Sequence, residues 1–259
     1  MIHSPLRCFC IPCPPRKRRQ APPPGTFPPH QEGRSMEALF THDLEAVIFD
    51  FEGTLVDFQW KLSEAVEEVL EKLRQMGFTA THLSNRKYST LQIQAMQAAP
   101  QIGIRPQDVR DAIGAVYDVY DEDALTRWNL RPGAPDFLRA LRTMGIRTAL
   151  VSNVGGRALG KAITRLGLES LLDMALSRND VPNLKPSPDG INLALHKMGA
   201  NRRHSIFLGD SLDDINAARN AGLKVMIITN GENLREDIIQ AKPDAIFDNY
   251  QELIGALPS

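Results

Sequence analysis

The sequence predicts an α/β fold, a doubly wound parallel sheet with an inserted α-helical domain. Three observations predict it. Short apolar runs end on Asp, Asn or Gly. Helical apolar periods lie between those runs. A stretch over 61–125 carries helical pattern and no convincing strand. Short apolar runs bounded by polar turn residues read as strands buried on both faces, and their alternation with helices reads as parallel crossovers.

Taken in order, residues 44–50 form the first strand, ending on Asp50. Two stripes follow in the insert, Leu62, Val66, Val69 and Leu73, then Val109, Ile113, Val116 and Tyr120. The core resumes near Arg131-Pro132-Gly133, and Phe137, Leu141 and Met144 fall at helical spacing. Residues 146–151 read as the second strand, ending at Ser152-Asn153, and Leu159, Ile163 and Leu166 mark the next helix. Ser187-Pro188 reads as an N-cap followed by proline in the first turn, ahead of Ile191, Leu195 and Met198. Residues 205–208 form the third strand, ending at Gly209-Asp210, residues 225–228 a fourth, and residues 245–247 a weaker fifth. The domain reading is a core over 41–60 and 126–259 with a helical cap over 61–125. In such sheets ligands bind beyond the carboxyl ends of the strands, so Asp50, Ser152-Asn153 and Asp210 are expected to converge.

The first 40 residues differ in composition. Nine of the 18 prolines precede residue 30, and all three cysteines, Cys8, Cys10 and Cys13, lie there. Residues 1–35 hold six Lys/Arg and one acid, which leaves 24 basic and 30 acidic residues over 36–259. Proline-rich, basic sequence buries too little apolar surface to offset its ordering entropy, so 1–40 reads as a disordered tail. Arg16-Lys17-Arg18-Arg19 fits a localisation or nucleic-acid patch, but a solvated charge run is the better reading. The cysteines lack the folded frame and clear fourth ligand of a zinc site. Met36 opens the globular pattern and could be an alternative start. The overall net charge of −1 argues against a general nucleic-acid binder. No apolar run approaches the roughly 18 residues of a membrane span, and no signal-peptide core is present. A cytoplasmic location is therefore the expectation. Oligomeric state is not legible.

Four motifs carry chemistry. Asp50-Phe51-Glu52-Gly53-Thr54-Leu55-Val56-Asp57 follows the first strand, and Ser152-Asn153 ends the second. Lys185-Pro186 follows, and Gly209-Asp210-Ser211-Leu212-Asp213-Asp214 follows the third strand. Each alone is an ordinary strand-end turn, cap or surface lysine; four in order are not. With them the chain resembles the haloacid-dehalogenase-like hydrolase superfamily over about 42–255, and within it phosphoglycolate phosphatase-like members with a helical cap on a Rossmann-like core.

The residue types suit phosphoryl transfer. A carboxylate can attack phosphorus, while an anionic ester demands positive charge and alignment. Asp50, Glu52, Asp210 and Asp214 face one obvious counter-charge, Lys185, an imbalance that calls for a divalent cation with oxygen ligands, Mg²⁺. The resemblance implies the roles. Asp50 is the nucleophile and, with Asp210, a side-chain metal ligand. The Glu52 carbonyl is a third ligand, and Asp214 orients the set. Ser152 and Asn153 hold the phosphoryl oxygens, and Lys185 neutralises nucleophile and phosphate. The implied substrate is a small phosphorylated metabolite of phosphoglycolate or sugar phosphate type, with neither nucleic acid nor membrane as partner.

Glu52 departs from the superfamily's usual second Asp, which protonates the leaving alcohol and then activates water. The added methylene moves the acid by about one ångström, and an error of that size can cost about 100-fold. The enolase-phosphatase branch also carries Glu here, whereas dehalogenases and phosphonatases lack an acid. Crowding by Asp50 and Asp210 is expected to raise the pKa of Glu52. Two alternatives stay open: a phosphosugar mutase of the same superfamily, and a non-catalytic binding protein built around Glu52. Asp57 is expected to serve a turn, Asp213 to be solvated in a first helical turn, Trp60 to pack at the hinge, and Arg86 and Lys87 to form a solvated loop. Arg105 could instead touch substrate.

Overall fold

The computed structural model describes residues 39–258. The expectations on residues 1–38, including the cysteines and the basic run, lie outside the described residues. Leu39 and Phe40, assigned to the tail by sequence, are instead buried in the core, where Phe40 meets the Phe137 ring edge-on at 6.1 Å.

Six parallel strands form one sheet in the order β3-β2-β1-β4-β5-β6. They are β1 (Ala46–Phe49), β2 (Arg147–Val151), β3 (Met174–Leu176), β4 (Ser205–Gly209), β5 (Lys224–Ile228) and β6 (Ala245–Phe247). β1 lies between β2 and β4, with Phe49 in register with both Leu150 and Leu208. The period of two divides the core. Val47, Phe49, Leu150, Leu208, Met226 and Ile228 pack on one face, while Ile48, Ala149, Val151, Phe207, Val225 and Ile227 pack on the other. All four β1 side chains are fully buried, which is why this strand reads as a continuous apolar run. Burial of each large side chain contributes roughly 1.5–3 kcal/mol.

β3 was missed by the sequence reading. Three residues at a sheet edge, with Ala175 exposed, are too few for a periodic signal. The helix start placed at Ser187 moves one residue on: Pro188 is the flanking residue, and the Ser187 hydroxyl accepts from the Asp189 amide at 3.4 Å.

Between β1 and β2 the chain forms α1 (Leu62–Gln75), α2 (Tyr88–Ala98) and α3 (Pro106–Leu125), then α4 (Ala134–Thr143). The expected stripes face inward: Val69, Leu73, Val109, Ile113 and Val116 are buried. The insert joins the core through two paired segments. Val56 bridges Leu130 antiparallel, the Asp57 amide donates to the Asn129 carbonyl at 3.0 Å, and the Asn129 amide donates to Asp57 Oδ1 at 2.7 Å. Asp57, expected to serve a turn, instead stitches the stem. Beyond β2 come α5 (Gly156–Arg165), α6 (Asp189–Met198), α7 (Leu212–Ala221), α8 (Arg235–Ala241) and α9 (Tyr250–Gly255). No described helix is long and apolar enough to cross a membrane.

Candidate active site

The strand ends bring the acidic motifs together at one edge of the sheet. Asp50 follows β1, and its amide donates to the Leu208 carbonyl at 2.9 Å, which extends the β1–β4 ladder to the site itself. Asp210 follows β4. Asp214 is placed by helix capping: the Ser211 hydroxyl accepts from the Asp214 amide at 3.2 Å, and Asp214 Oδ2 accepts from the Ser211 amide at 3.0 Å. The Asp210 amide also donates to Oδ2, at 3.1 Å. That capping box satisfies helix-end donors and leaves Asp214 Oδ1 for another partner.

That partner is Lys185. Its ammonium donates to Asp50 Oδ1 at 2.5 Å and to Asp214 Oδ1 at 2.7 Å, with all three side chains largely buried. Asp50, Asp210 and Asp214 each offer a carboxylate oxygen, all within 4.8 Å of one another. Asp210 accepts from the Thr54 hydroxyl at 2.9 Å and the Glu232 amide at 2.7 Å. The backbone approaches Asp210 closely on two sides. A side chain at Gly53, whose φ is +80°, would have its Cβ 2.2 Å from Asp210 Oδ2, and one at Gly231 would come within 2.1 Å. Only glycine accommodates both the left-handed turn and the approach at 53.

Burial raises the Asp50 carboxyl to about 6, although the Lys185 ammonium opposes the rise. Asp210 is pushed up as well, by burial and then by Asp214 and Asp50. Carboxylates held this way are short of positive charge.

Glu52 sits at the junction with the insert. Its Oε1 accepts from the Trp128 indole at 2.9 Å and the Gln59 amide at 2.7 Å. Its pKa is raised to about 8. The direction is as expected but the cause is not: burial dominates, and the facing charge is Asp121 rather than Asp50 or Asp210. The methylene of Glu carries the carboxyl toward the stem, where Trp128 holds it.

Ser152 and Asn153 join the same cleft, which encloses about 530 Å³ of empty space including its open mouth. The Ser152 hydroxyl accepts from the Val154 amide at 3.1 Å, which leaves its proton to donate. Asn153 is engaged differently from expectation. Its Oδ1 accepts from the Lys185 amide at 3.0 Å and its Nδ2 donates to the Lys185 carbonyl at 3.4 Å. The side chain grips the lysine's backbone and so sets where the ammonium stands.

Two expectations fail. Asp213 is buried, not solvated, and Lys87 is not a free loop residue, since its ammonium meets Asp213 Oδ1 at 2.5 Å and ties the insert to the core. Arg86 remains exposed, opposite Glu67 at 3.6 Å. Arg105 pairs with Asp108 on the surface. Trp60 packs at the stem as expected, edge-on to Tyr88 at 4.8 Å and Tyr117 at 5.5 Å.

The sequence reading missed Arg178. It is 3% exposed, pairs with Asp121 at 3.0 Å and with Asp118, and donates to the Asn153 carbonyl at 2.9 Å. Asp121 also accepts from the Gly155 amide at 2.8 Å. These bonds bind α3 to the loop after β2. Arg178 follows β3, so missing that strand hid it. Glu232 was missed too, though the polar stretch after β5 is a further strand end of the kind that marked the other motifs.

The fold and the site define a doubly wound α/β protein with a carboxylate–lysine centre. A sequence profile described as haloacid dehalogenase-like hydrolase matches residues 47–228. The phosphoglycolate phosphatase of Shigella dysenteriae serotype 1 is 30% identical over 236 residues, covering 83% of this chain and 93% of the relative. That of Escherichia coli strain K12 matches with the same identity and coverage. The crystal structure of a predicted phosphoglycolate phosphatase from Haemophilus somnus aligns with a TM-score of 0.58 at 25% identity, over 82% of this chain and 97% of that one. The chain belongs to the haloacid dehalogenase-like hydrolase family.

Proposed function

We propose that the protein is a Mg²⁺-dependent phosphatase that hydrolyses a small phosphomonoester through an aspartyl-phosphate on Asp50. The observation that carries this reading is the pairing of Asp50 with the buried ammonium of Lys185 at 2.5 Å, in a cleft that Glu52 also lines. Asp50 Oδ attacks phosphorus as the bond to the ester oxygen breaks. Glu52 gives its proton to the departing alkoxide. The resulting Glu52 carboxylate then takes a proton from water, which attacks the aspartyl-phosphate and frees Asp50 and inorganic phosphate. Ser152 donates to a phosphoryl oxygen, and Lys185, aligned by Asn153, balances charge on nucleophile and phosphate. Asp118, Asp121 and Arg178 hold the insert against the β2 loop so that these groups stay in register.

The donors around Asp50 fit Mg²⁺. Of the three clustered buried carboxylates, Asp50 and Asp214 share one ammonium and Asp210 has none, and every donor is oxygen, the preference of that ion. Asp50, Asp210 and the Glu52 carbonyl would hold it, with Asp214 fixing Lys185 and the β4 loop. When bound, Mg²⁺ supplies the positive charge that a dianionic ester needs beside these carboxylates. Saturating Mg²⁺, at about 100 times its dissociation constant, is expected to stabilise the fold by about 2.7 kcal/mol. For a domain of this size that raises the melting temperature by roughly 5–10 °C. Differential scanning calorimetry in EDTA and in Mg²⁺ checks this, and Asp210→Asn should abolish the shift. An equal shift in that variant would place the ion elsewhere.

The reading is tested by phosphate release from small esters with and without Mg²⁺. In kcat/KM, which reports formation of the aspartyl-phosphate, Glu52→Gln is expected to slow alkyl phosphates by about 10²–10³-fold, and p-nitrophenyl phosphate much less, because that leaving group departs without a proton. Because the Glu52 carboxyl is raised to about 8, it is protonated at neutral pH and turnover falls as pH rises through that value. That alkaline limb should vanish in Glu52→Gln. Equal slowing of both ester types in kcat/KM would remove Glu52 from proton transfer to the leaving group. A mutase, by contrast, would interconvert a sugar phosphate and release little phosphate.

A further inference from the structure

Charge in the cleft is lopsided. Asp50, Asp121, Asp213 and Glu232 line it beside the protonated Glu52, and among the described lining residues Lys185 is the single cation. Lys185 is already shared by Asp50 and Asp214. The neighbouring cations are committed as well. Arg178 lies on Asp118 and Asp121, and Lys87 lies on Asp213 with Glu232 also within its field. A second anion on the substrate would meet carboxylates and find no unpaired cation to receive it. Burying such a charge without a partner is strongly unfavourable.

Apart from Ser152, Asn153 and Ser211, the remaining walls are apolar and aromatic: Phe58, Trp60, Leu62, Tyr88 and Val154. Trp60 is 8% exposed, and its indole N–H is one of the few buried polar groups with no partner among the described residues. A buried donor without an acceptor favours a ligand that brings one. Aromatic faces suit the C–H surface of an uncharged alcohol, and the indole N–H suits a hydroxyl oxygen.

We propose that this cleft selects phosphomonoesters of uncharged, hydroxylated alcohols, with Trp60 as a specificity-determining residue, and discriminates against esters whose alcohol bears a carboxylate. The inference rests on the phosphatase reading and narrows its substrate class. It sets this chain apart from the activity for which its relatives are named, on grounds of charge alone.

The test is kcat/KM with Mg²⁺ for glycerol 3-phosphate, phosphoglycolate and phosphoethanolamine. Glycerol 3-phosphate is expected to exceed phosphoglycolate by at least about tenfold. Leu62→Lys, which places a cation in the apolar wall, should raise phosphoglycolate relative to glycerol 3-phosphate by about tenfold or more. Phe58→Lys serves the same purpose if a thermal melt shows the first variant unfolded. Trp60→Phe should raise KM for glycerol 3-phosphate more than for phosphoglycolate. Phosphoglycolate equal to or better than glycerol 3-phosphate in the unmodified protein overturns the inference and leaves the phosphatase reading standing, as does a preference for phosphoethanolamine. If no ester is turned over, the phosphatase reading fails. Calorimetric titration of Asp50→Asn with the same three esters then decides the charge preference alone, and equal or tighter binding of phosphoglycolate overturns it.

Discussion

Asp50→Asn is expected to lower phosphate release by at least about 10⁴-fold, since a carboxamide cannot form the acyl-phosphate and no other group replaces it. Asp50 is placed by the β1–β4 ladder and held by Lys185, so the near-isosteric Asn leaves the rest of the cleft in position. The covalent route gives a second readout. Acid-quenched unmodified protein, caught during turnover, should carry a phosphoryl group on the peptide containing Asp50, and the variant should carry none. Undiminished release by Asp50→Asn, or a phosphoryl group on another residue, would transfer the nucleophile's role elsewhere and with it the mechanism.

Lys185→Met is the second large effect, and it acts on stability as well as on turnover. The ammonium is 6% exposed and serves two buried carboxylates at 2.5 and 2.7 Å. Removing one partner of a buried ion set strands the others, which typically costs about 3–5 kcal/mol. At roughly 2–4 °C per kcal/mol for a domain of this size, the melting temperature in EDTA should fall by roughly 6–20 °C. Mg²⁺ should restore part of the loss, because a divalent ion beside Asp50 and Asp210 replaces some of the missing charge, but it should not restore turnover. A melting temperature unchanged in EDTA would mean that Asp50 and Asp214 do not depend on Lys185 for compensation. The same variant separates two contributions that coincide in the unmodified protein, since Lys185 both neutralises Asp50 and, through Asn153, anchors the β2 loop to the segment before α6. The backbone bonds to Asn153 survive the substitution, so the loop should keep its path.

The site shows how one set of carboxylates divides its tasks. Asp214 spends one oxygen on the α7 cap and the other on Lys185, so a helix start and an ion pair share one side chain. Asp210 is enclosed by Gly53, Gly231 and Thr54, which fixes it without a counter-charge. Glu52 points to the stem, where Trp128 and Gln59 receive it. The stem that carries the insert thus also holds the group proposed to move the proton, which couples the position of the insert to the chemistry.

What the sequence determined by itself was whatever local pattern encodes. β1 was legible because four consecutive apolar residues end on an acid, and α5 and α6 because their apolar residues recur at helical spacing. Asp50, Ser152 and Asp210 were legible as site candidates because strand ends in such a sheet share one edge, a rule that needs no coordinates, whereas Lys185 was legible only through the resemblance carried by the four motifs in order. The tertiary structure decided what depends on residues far apart in the chain. The bond from Trp128 to Glu52 spans 76 positions and the pair of Lys87 with Asp213 spans 126; no periodicity or motif encodes either. The same is true of Arg178, whose three partners come from α3 and from the loop after β2. Burial also belongs to the folded chain. Glu52 holds its proton because the stem encloses it, not because acids crowd it, and desolvation arises only when distant segments close over a group.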